Sequence, residues 1–318
     1  MWQRGPYNDL TDVPGVWVGH AEDRQAMTGV TAVLTPQGAV VGIAVEGSAP
    51  GTRETDLCRP GNLVTQAHGV LLCGGSAFGL AAADGAMRYL EEHGYGFPTE
   101  YARVPIVPAA VLYDLGVGDP RVRPTAEMGY AACAAASRKA VPWGRVGAGT
   151  GCTVGKILGM KYASPSGIGS ASLVVGNVVV AAAVAVNAFG DVRDPDTGRI
   201  LAGARHPDGG FADTLAVMAT GGPPHGFGGN PPAGQNTTIG VVAVGGELTK
   251  EGANKVARMA HDGLARTIVP IHTMYDGDTL FCLATGGEPV DVTVAGTAAA
   301  LAVQLAVLDA VTRAASGG

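Results

Sequence analysis

Gly234-Gln235-Asn236-Thr237-Thr238-Ile239-Gly240 joins two unlike kinds of sequence. Upstream, Gly221 to Gly234 reads GGPPHGFGGNPPAG, whose glycines and prolines keep a backbone in turns and extended forms. Downstream, Ile239 to Val244 reads IGVVAV, a short Val-rich apolar run of the kind a buried strand requires. Thr237 therefore stands at the head of a strand, delivered there by a loop. Were the Asn236–Thr237 bond to break, Thr237 would gain a free α-amine beside its own hydroxyl, which puts base and nucleophile on one residue. Asn-Thr is a common dipeptide and most strands follow loops, so the junction acquires meaning only with the rest of the chain.

That chain has 318 residues, enough for one large domain or two medium ones with a substantial core. Apolar residues make up 47% and charged residues 15%, with 50 glycines, a composition of tight packing and many turns rather than disorder. A net charge of −6 and no basic stripe exclude nucleic acid as the expected partner. The five cysteines (Cys58, Cys73, Cys133, Cys152, Cys282) are scattered singly, with no paired or Cys/His metal-ligand spacing. Reduced core thiols, a cytoplasmic location and no metal are the expectations. The N-terminal MWQRGPYNDL lacks an apolar signal region. Leu173 to Val186 is broken by Gly176-Asn177 and too short to cross a bilayer, so it reads as a hairpin and no membrane partner is expected.

Taken in order, Gly15 to Val45 reads as a β-meander with a turn at Pro36-Gln37-Gly38. The charges of Arg53, Glu54, Asp56 and Arg59 fit surface pairing. A strand ending at Cys73 leads through Gly74-Gly75-Ser76 into a helix reaching about His93; the G-x-S-x-G spacing of a nucleophile elbow is absent. Ala109 to Leu115 is a strand carrying Tyr113, and a small-residue helix spans about Thr125 to Arg138. Val146 to Lys156 is glycine-rich, yet Thr150 and Ile157 break the phosphate-loop spacing, so no nucleotide and no cofactor is expected there. Asn187 closes the hairpin. After the Thr237 strand, Thr249 caps a helix from Lys250 to Arg266. Asp276-Gly277-Asp278 then forms a dense polar knot before another strand, and Val292 to Ala315 closes the chain as a long apolar helix. The pattern suggests layered sheets covered by helices.

Asn236-Thr237-Thr238-Ile239-Gly240-Val241-Val242, His261-Asp262-Gly263-Leu264-Ala265-Arg266 and Asp276-Gly277-Asp278-Thr279-Leu280-Phe281 resemble the self-processing aminopeptidases. That family comprises L-aminopeptidase/D-amidases, β-peptidyl aminopeptidases and endo-type 6-aminohexanoate-oligomer (nylon oligomer) hydrolases. Thr11 to Val16, Gly74 to Leu80, Gly147 to Gly151 and Gly167 to Ser172 extend the resemblance over nearly the whole chain. It implies an α+β fold, a four-layer αββα sandwich as a single domain over 1–318. It also implies self-cleavage between Asn236 and Thr237 into 1–236 and 237–318, assembled as a homo-oligomer, a tetramer of cleaved pairs. Thr237 would be the nucleophile, Asp276 and Asp278 would hold its amine and hydroxyl, and Tyr113 and Asn187 would donate to the oxyanion. Lys156 is placed as the active-site lysine, with Lys161 as its competitor.

An α-amine of pKa about 7.7–8.0 accepts a hydroxyl proton near neutral pH, where an ordinary lysine does not. Carboxylates beside the ammonium raise its pKa and a lysine lowers it. Each oxyanion donor supplies on the order of 2.7–4 kcal/mol. The expected activity is hydrolysis of amide bonds through an acyl-threonine intermediate, on a small-molecule or oligomeric amide. Thr237 with the Asp276/Asp278 pair leans toward the nylon-oligomer branch. The alternatives are an acyltransferase of the ornithine acetyltransferase type, which hands the acyl group to an amine, and an uncleaved non-enzymatic scaffold.

Overall fold

In the computed structural model, which describes residues 2–222 and 236–316, nine strands share one hydrogen-bonded sheet. Residues 223–235, with most of the Gly/Pro loop read from the sequence, lie outside the described residues. The strands are β1 (Trp17–Asp23), β2 (Thr28–Val45), β3 (Gly51–Arg53), β4 (Gln66–Cys73), β5 (Ala109–Val111), β6 (Ile168–Val175), β7 (Val178–Asn187), β8 (Thr237–Val244) and β9 (Thr279–Ala284). Their order is β6-β7-β8-β9-β2-β4-β5-β3, with β1 also on β2. Four helices cover them: α1 (Ala82–Glu92), α2 (Ala126–Ala134), α3 (Lys250–Thr267) and α4 (Val292–Ser316).

The 18-residue β2 is the hinge of the architecture. The sequence reads a turn at Pro36-Gln37-Gly38, but the chain continues through it as one strand whose register against β4 shifts between Leu34 and Ala39. Proline has no N–H to give a ladder, so it suits such an irregularity. The first half of β2 pairs with β1 and β4, and the second half with β9.

Alternate residues of the strands then enter different cores, as a period of two demands. Val33, Val70, Leu72 and Ala110 join Ala183, Val241, Phe281 and Leu283 in one cluster between two sheet layers. Val184, Val242 and Cys282 turn instead to Val256, Ala260, Val303 and Ala306 of α3 and α4. Ala32, Leu71 and Cys73 meet Ala83, Ala86 and Ala132 of α1 and α2. The result is the αββα layering expected from the sequence. Both parallel pairs, β4 with β5 and β8 with β9, are joined through a covering helix, α1 and α3 respectively.

Close helix packing accounts for much of the glycine. A Cβ on Gly85 would lie 1.7 Å from the Ala126 carbonyl oxygen, and one on Gly129 would lie 1.9 Å from that of Ala82, so α1 and α2 cross backbone to backbone. Helix α4 is long and apolar enough to cross a membrane by length and composition alone. Here its Ala298, Ala302, Val303 and Ala306 are buried in the cluster with α3 and the sheet, which explains the apolarity.

Candidate active site

Strand β8 begins at Thr237, and the strands on either side bring polar groups to that end. On one side β7 runs antiparallel and sets Asn187 directly opposite Thr237. On the other, the turn before β9 lays Asp276 beside Asn236. Thr237 is buried, and its Oγ1 donates to the carbonyl oxygen of Asn236 at 2.5 Å. The same oxygen accepts the backbone N–H of Gly277 at 2.9 Å. A Cβ at Gly277 would stand 2.9 Å from Thr237 Oγ1 and 2.4 Å from the Ala49 carbonyl oxygen, so only glycine lets this turn approach so closely.

Asp276 and Asp278 are both fully buried, one residue apart. Asp278 Oδ1 accepts the Thr238 N–H at 2.8 Å, which fixes the residue after the nucleophile candidate. Asp276 Oδ1 accepts the Phe189 N–H at 3.1 Å, and its Oδ2 accepts the Thr273 N–H at 3.2 Å and the Thr273 hydroxyl at 2.5 Å. Burial, and then the neighbouring Asp278 charge, push the Asp276 carboxyl up to about 6.

Lys156 is buried with its Nζ donating to Asn187 at two atoms, the carbonyl oxygen (2.9 Å) and Oδ1 (2.8 Å). Burial pulls its ammonium down to about 7, against the opposing pull of Cys152, Asp276 and Asp114. Asn187 Nδ2 in turn donates to the Tyr113 carbonyl at 2.9 Å, so Tyr113 joins the cluster through its backbone two residues past the end of β5. Asn236, Thr237, Asp276, Asn187, Lys156 and Tyr113 thus form one connected cluster, which Asp278 joins through the Thr238 N–H. Lys161 is not among them: it is exposed, its Nζ 5.5 Å from the centroid of the Tyr162 ring.

Several groups at this site had no signal in the sequence. Thr273, the Phe189 N–H and the Gly277 N–H act through local backbone geometry that no residue pattern announces. His272 Nδ1 lies 2.8 Å from Asp278 Oδ2, and its ring stands 4.9 Å from that of His261. The only hint of His272 is the crowding of polar residues before β9, whereas His261, on α3, opens one of the motifs that carry the resemblance. The cysteines offer no rival nucleophile: all are buried and free, and burial holds the Cys58, Cys133 and Cys282 thiols up at about 12. Among the described residues no group of His, Cys, Asp or Glu is arranged to hold a metal ion.

The site thus sets a threonine at a strand head among a buried acid pair and a buried lysine on an αββα scaffold. The model of peptidase family S58 matches residues 8–317, and the chain belongs to that family. It is 45% identical to an uncharacterized aminopeptidase of Mycobacterium bovis, over 97% of this chain and 90% of that protein. It is 30% identical to the 6-aminohexanoate-oligomer endohydrolase of Kocuria sp., over 94% of this chain and 81% of the relative. The fold is that of the L-aminopeptidase D-Ala-esterase/amidase of Ochrobactrum anthropi, described as a variant of the Ntn hydrolase fold. That match has a TM-score of 0.74 and 20% identity, and covers 97% and 87% of the two chains. A Burkholderia sp. beta-aminopeptidase superposes with a TM-score of 0.70 at 22% identity, covering 97% and 87%. The protein is accordingly a hydrolase of amide bonds.

Proposed function

We propose that this hydrolase activates itself by cutting the Asn236–Thr237 bond and then works through the freed Thr237. The observation that carries the reading is the pair of contacts on one carbonyl. Thr237 Oγ1 sits 2.5 Å from the Asn236 oxygen, and the Gly277 N–H points at the same oxygen from 2.9 Å. Attack of Oγ1 on the Asn236 carbonyl carbon would move negative charge onto an oxygen that already faces a backbone donor. The C–N bond then breaks, the departing nitrogen takes up the hydroxyl proton, and Asn236 is left as an ester on Thr237. Water adds its OH to that acyl carbon and its H to Oγ1, leaving a carboxylate at Asn236 and a free amine at Thr237.

In turnover the α-amine serves as base, the substrate acyl group passes to Oγ1, and water releases it. Asp276 and Asp278 hold the ends of the two segments that meet at Thr237, and Lys156 orients Asn187 beside it. Substrates with a free N-terminal amine are the first class to test, given the greater identity to the mycobacterial aminopeptidase; 6-aminohexanoate oligomers are the second. The protein is read as cytoplasmic and homo-oligomeric, with no cofactor. Intact-protein mass spectrometry of the wild type beside Thr237→Ala tests the reading. Two fragments beginning at Met1 and Thr237 in the wild type, with an intact variant, are expected. A folded wild type that stays whole on prolonged incubation overturns it.

A further inference from the structure

Behind the acid pair lies a histidine pair that the scheme above does not use. His272 adopts φ +57°, a left-handed conformation that few residues other than glycine adopt. In that conformation its backbone N–H (3.2 Å) and its ring Nδ1 (2.8 Å) both reach Asp278 Oδ2. The other oxygen of the same carboxylate holds the Thr238 N–H at 2.8 Å. Asp278 therefore bridges one residue of the loop before β9 to the residue that follows Thr237.

The ring is itself fixed. It is tilted 59° against His261, whose Nε2 lies 3.2 Å from the Ala44 carbonyl oxygen on β2. A carbonyl only accepts, so His261 carries its proton on Nε2. A buried carboxylate likewise accepts, so His272 carries a proton on Nδ1. With Oδ2 clamped twice from one side, the carboxylate has no freedom to rotate, and Oδ1 stays on the backbone N–H beside the bond to be cut. An aspartate held only by Thr238 would lose that direction.

We infer that His272 is a positioning residue for self-cleavage: its left-handed backbone and Nδ1–H clamp Asp278 Oδ2, which sets the Thr238 N–H and with it the Asn236–Thr237 bond. The inference rests on the self-cleavage reading. It gives the left-handed conformation a purpose, since backbone strain of this kind persists where the surroundings enforce it. It also separates two jobs the ring does, donating to Asp278 and packing on His261.

Two variants part those jobs. His272→Asn tolerates the left-handed conformation and sets its Nδ2 near the place of Nδ1, so the donor is kept while the ring is lost. His272→Gly keeps the backbone conformation and loses both. Time courses of fragment appearance by intact mass, with circular dichroism to verify folding, are the readout. The Asn variant is expected to cleave within about 3-fold of wild type, and the Gly variant at least about 10-fold slower. In the matured enzymes kcat should fall with KM little changed, because the clamp acts on the nucleophile strand. Wild-type cleavage in the folded Gly variant overturns the inference. A folded Asn variant as slow as Gly does too, since packing of the ring would then be what matters. Should the Gly variant not fold, the Asn variant decides alone. A wild type that never cleaves defeats the functional reading instead, and so the two failures are distinct.

Discussion

Asp276 answers two opposed demands. Its three hydrogen bonds from Phe189 and Thr273 all need the carboxylate to accept, whereas burial and the adjacent Asp278 favour the protonated acid and lift its pKa to about 6. At pH 5 the site therefore holds a neutral acid, and at pH 7 an anion. Self-cleavage and hydrolysis should both decline as the pH is lowered through 6, and Asp276→Asn should be slow at every pH and lack that limb. Rates measured from pH 5 to 8 by intact mass and by amide hydrolysis check this; a parent rate flat down to pH 5 sinks it. Lys156 gives a second pH signature, this time in stability. The folded chain gives up its proton near pH 7, while the unfolded chain keeps it to the ordinary 10.5. Between those values the unfolded state binds more protons, so unfolding becomes less favourable as pH rises, by at most about 1.4 kcal/mol per pH unit. In the Thr237→Ala background, which stays one covalent species, Lys156→Met should remove that rise. Urea unfolding at pH 7 and 9.5 compares the slopes.

At the scale of elements, the two helical layers make separate demands on the sequence. The α1/α2 layer rests on Gly85 and Gly129, each backed by the carbonyl of the other helix. Gly85→Val would force the helices apart at an expected loss of about 1–3 kcal/mol or more, while leaving self-cleavage of the folded fraction near wild type, because Thr237 belongs to the other half of the sheet. Thermal denaturation beside fragment appearance checks it, and an unchanged Tm would be the contrary result. These helices were legible in the sequence because runs such as Ala81 to Ala86 combine small residues with helical spacing. The abrupt change of composition singled out Thr237 and the polar knot singled out Asp276 and Asp278, but only the resemblance gave them roles, because loop-to-strand junctions and carboxylate-bearing turns are common. Strand β2 was not: Pro36-Gln37-Gly38 carries every mark of a turn, and only its partners on both sides keep it extended. His272 was equally hidden, since a left-handed residue six positions before its acid partner belongs to no periodicity.

For the molecule as a whole, the proposed cut falls in a place where it separates the chain without separating the fold. Residues 237–316 supply β8, α3, β9 and α4, and β8 lies between β7 of the larger part and β9 of its own. Eight residue pairs from Val180↔Val244 to Asn187↔Thr237 join β8 to β7, and six from Thr279↔Val45 to Ala284↔Val40 join β9 to β2. The cluster between the sheets draws Ile239, Val241, Phe281 and Leu283 from the smaller part and Val33, Val70 and Ala183 from the larger. Separation would expose both the ladders and this core, a surface resembling a domain interior cut in half rather than a transient interface. The cleaved fragments are therefore expected to coelute from a size-exclusion column at neutral pH and to part only in denaturant. Thr237→Ala should elute at the same position as the cleaved wild type, because β8 keeps its ladder on both sides whether or not the bond before it is intact. If the two fragments resolved from each other under native conditions, β8 would not be held by β7 as the register requires. Cleavage would then be a dismantling of the fold rather than its activation.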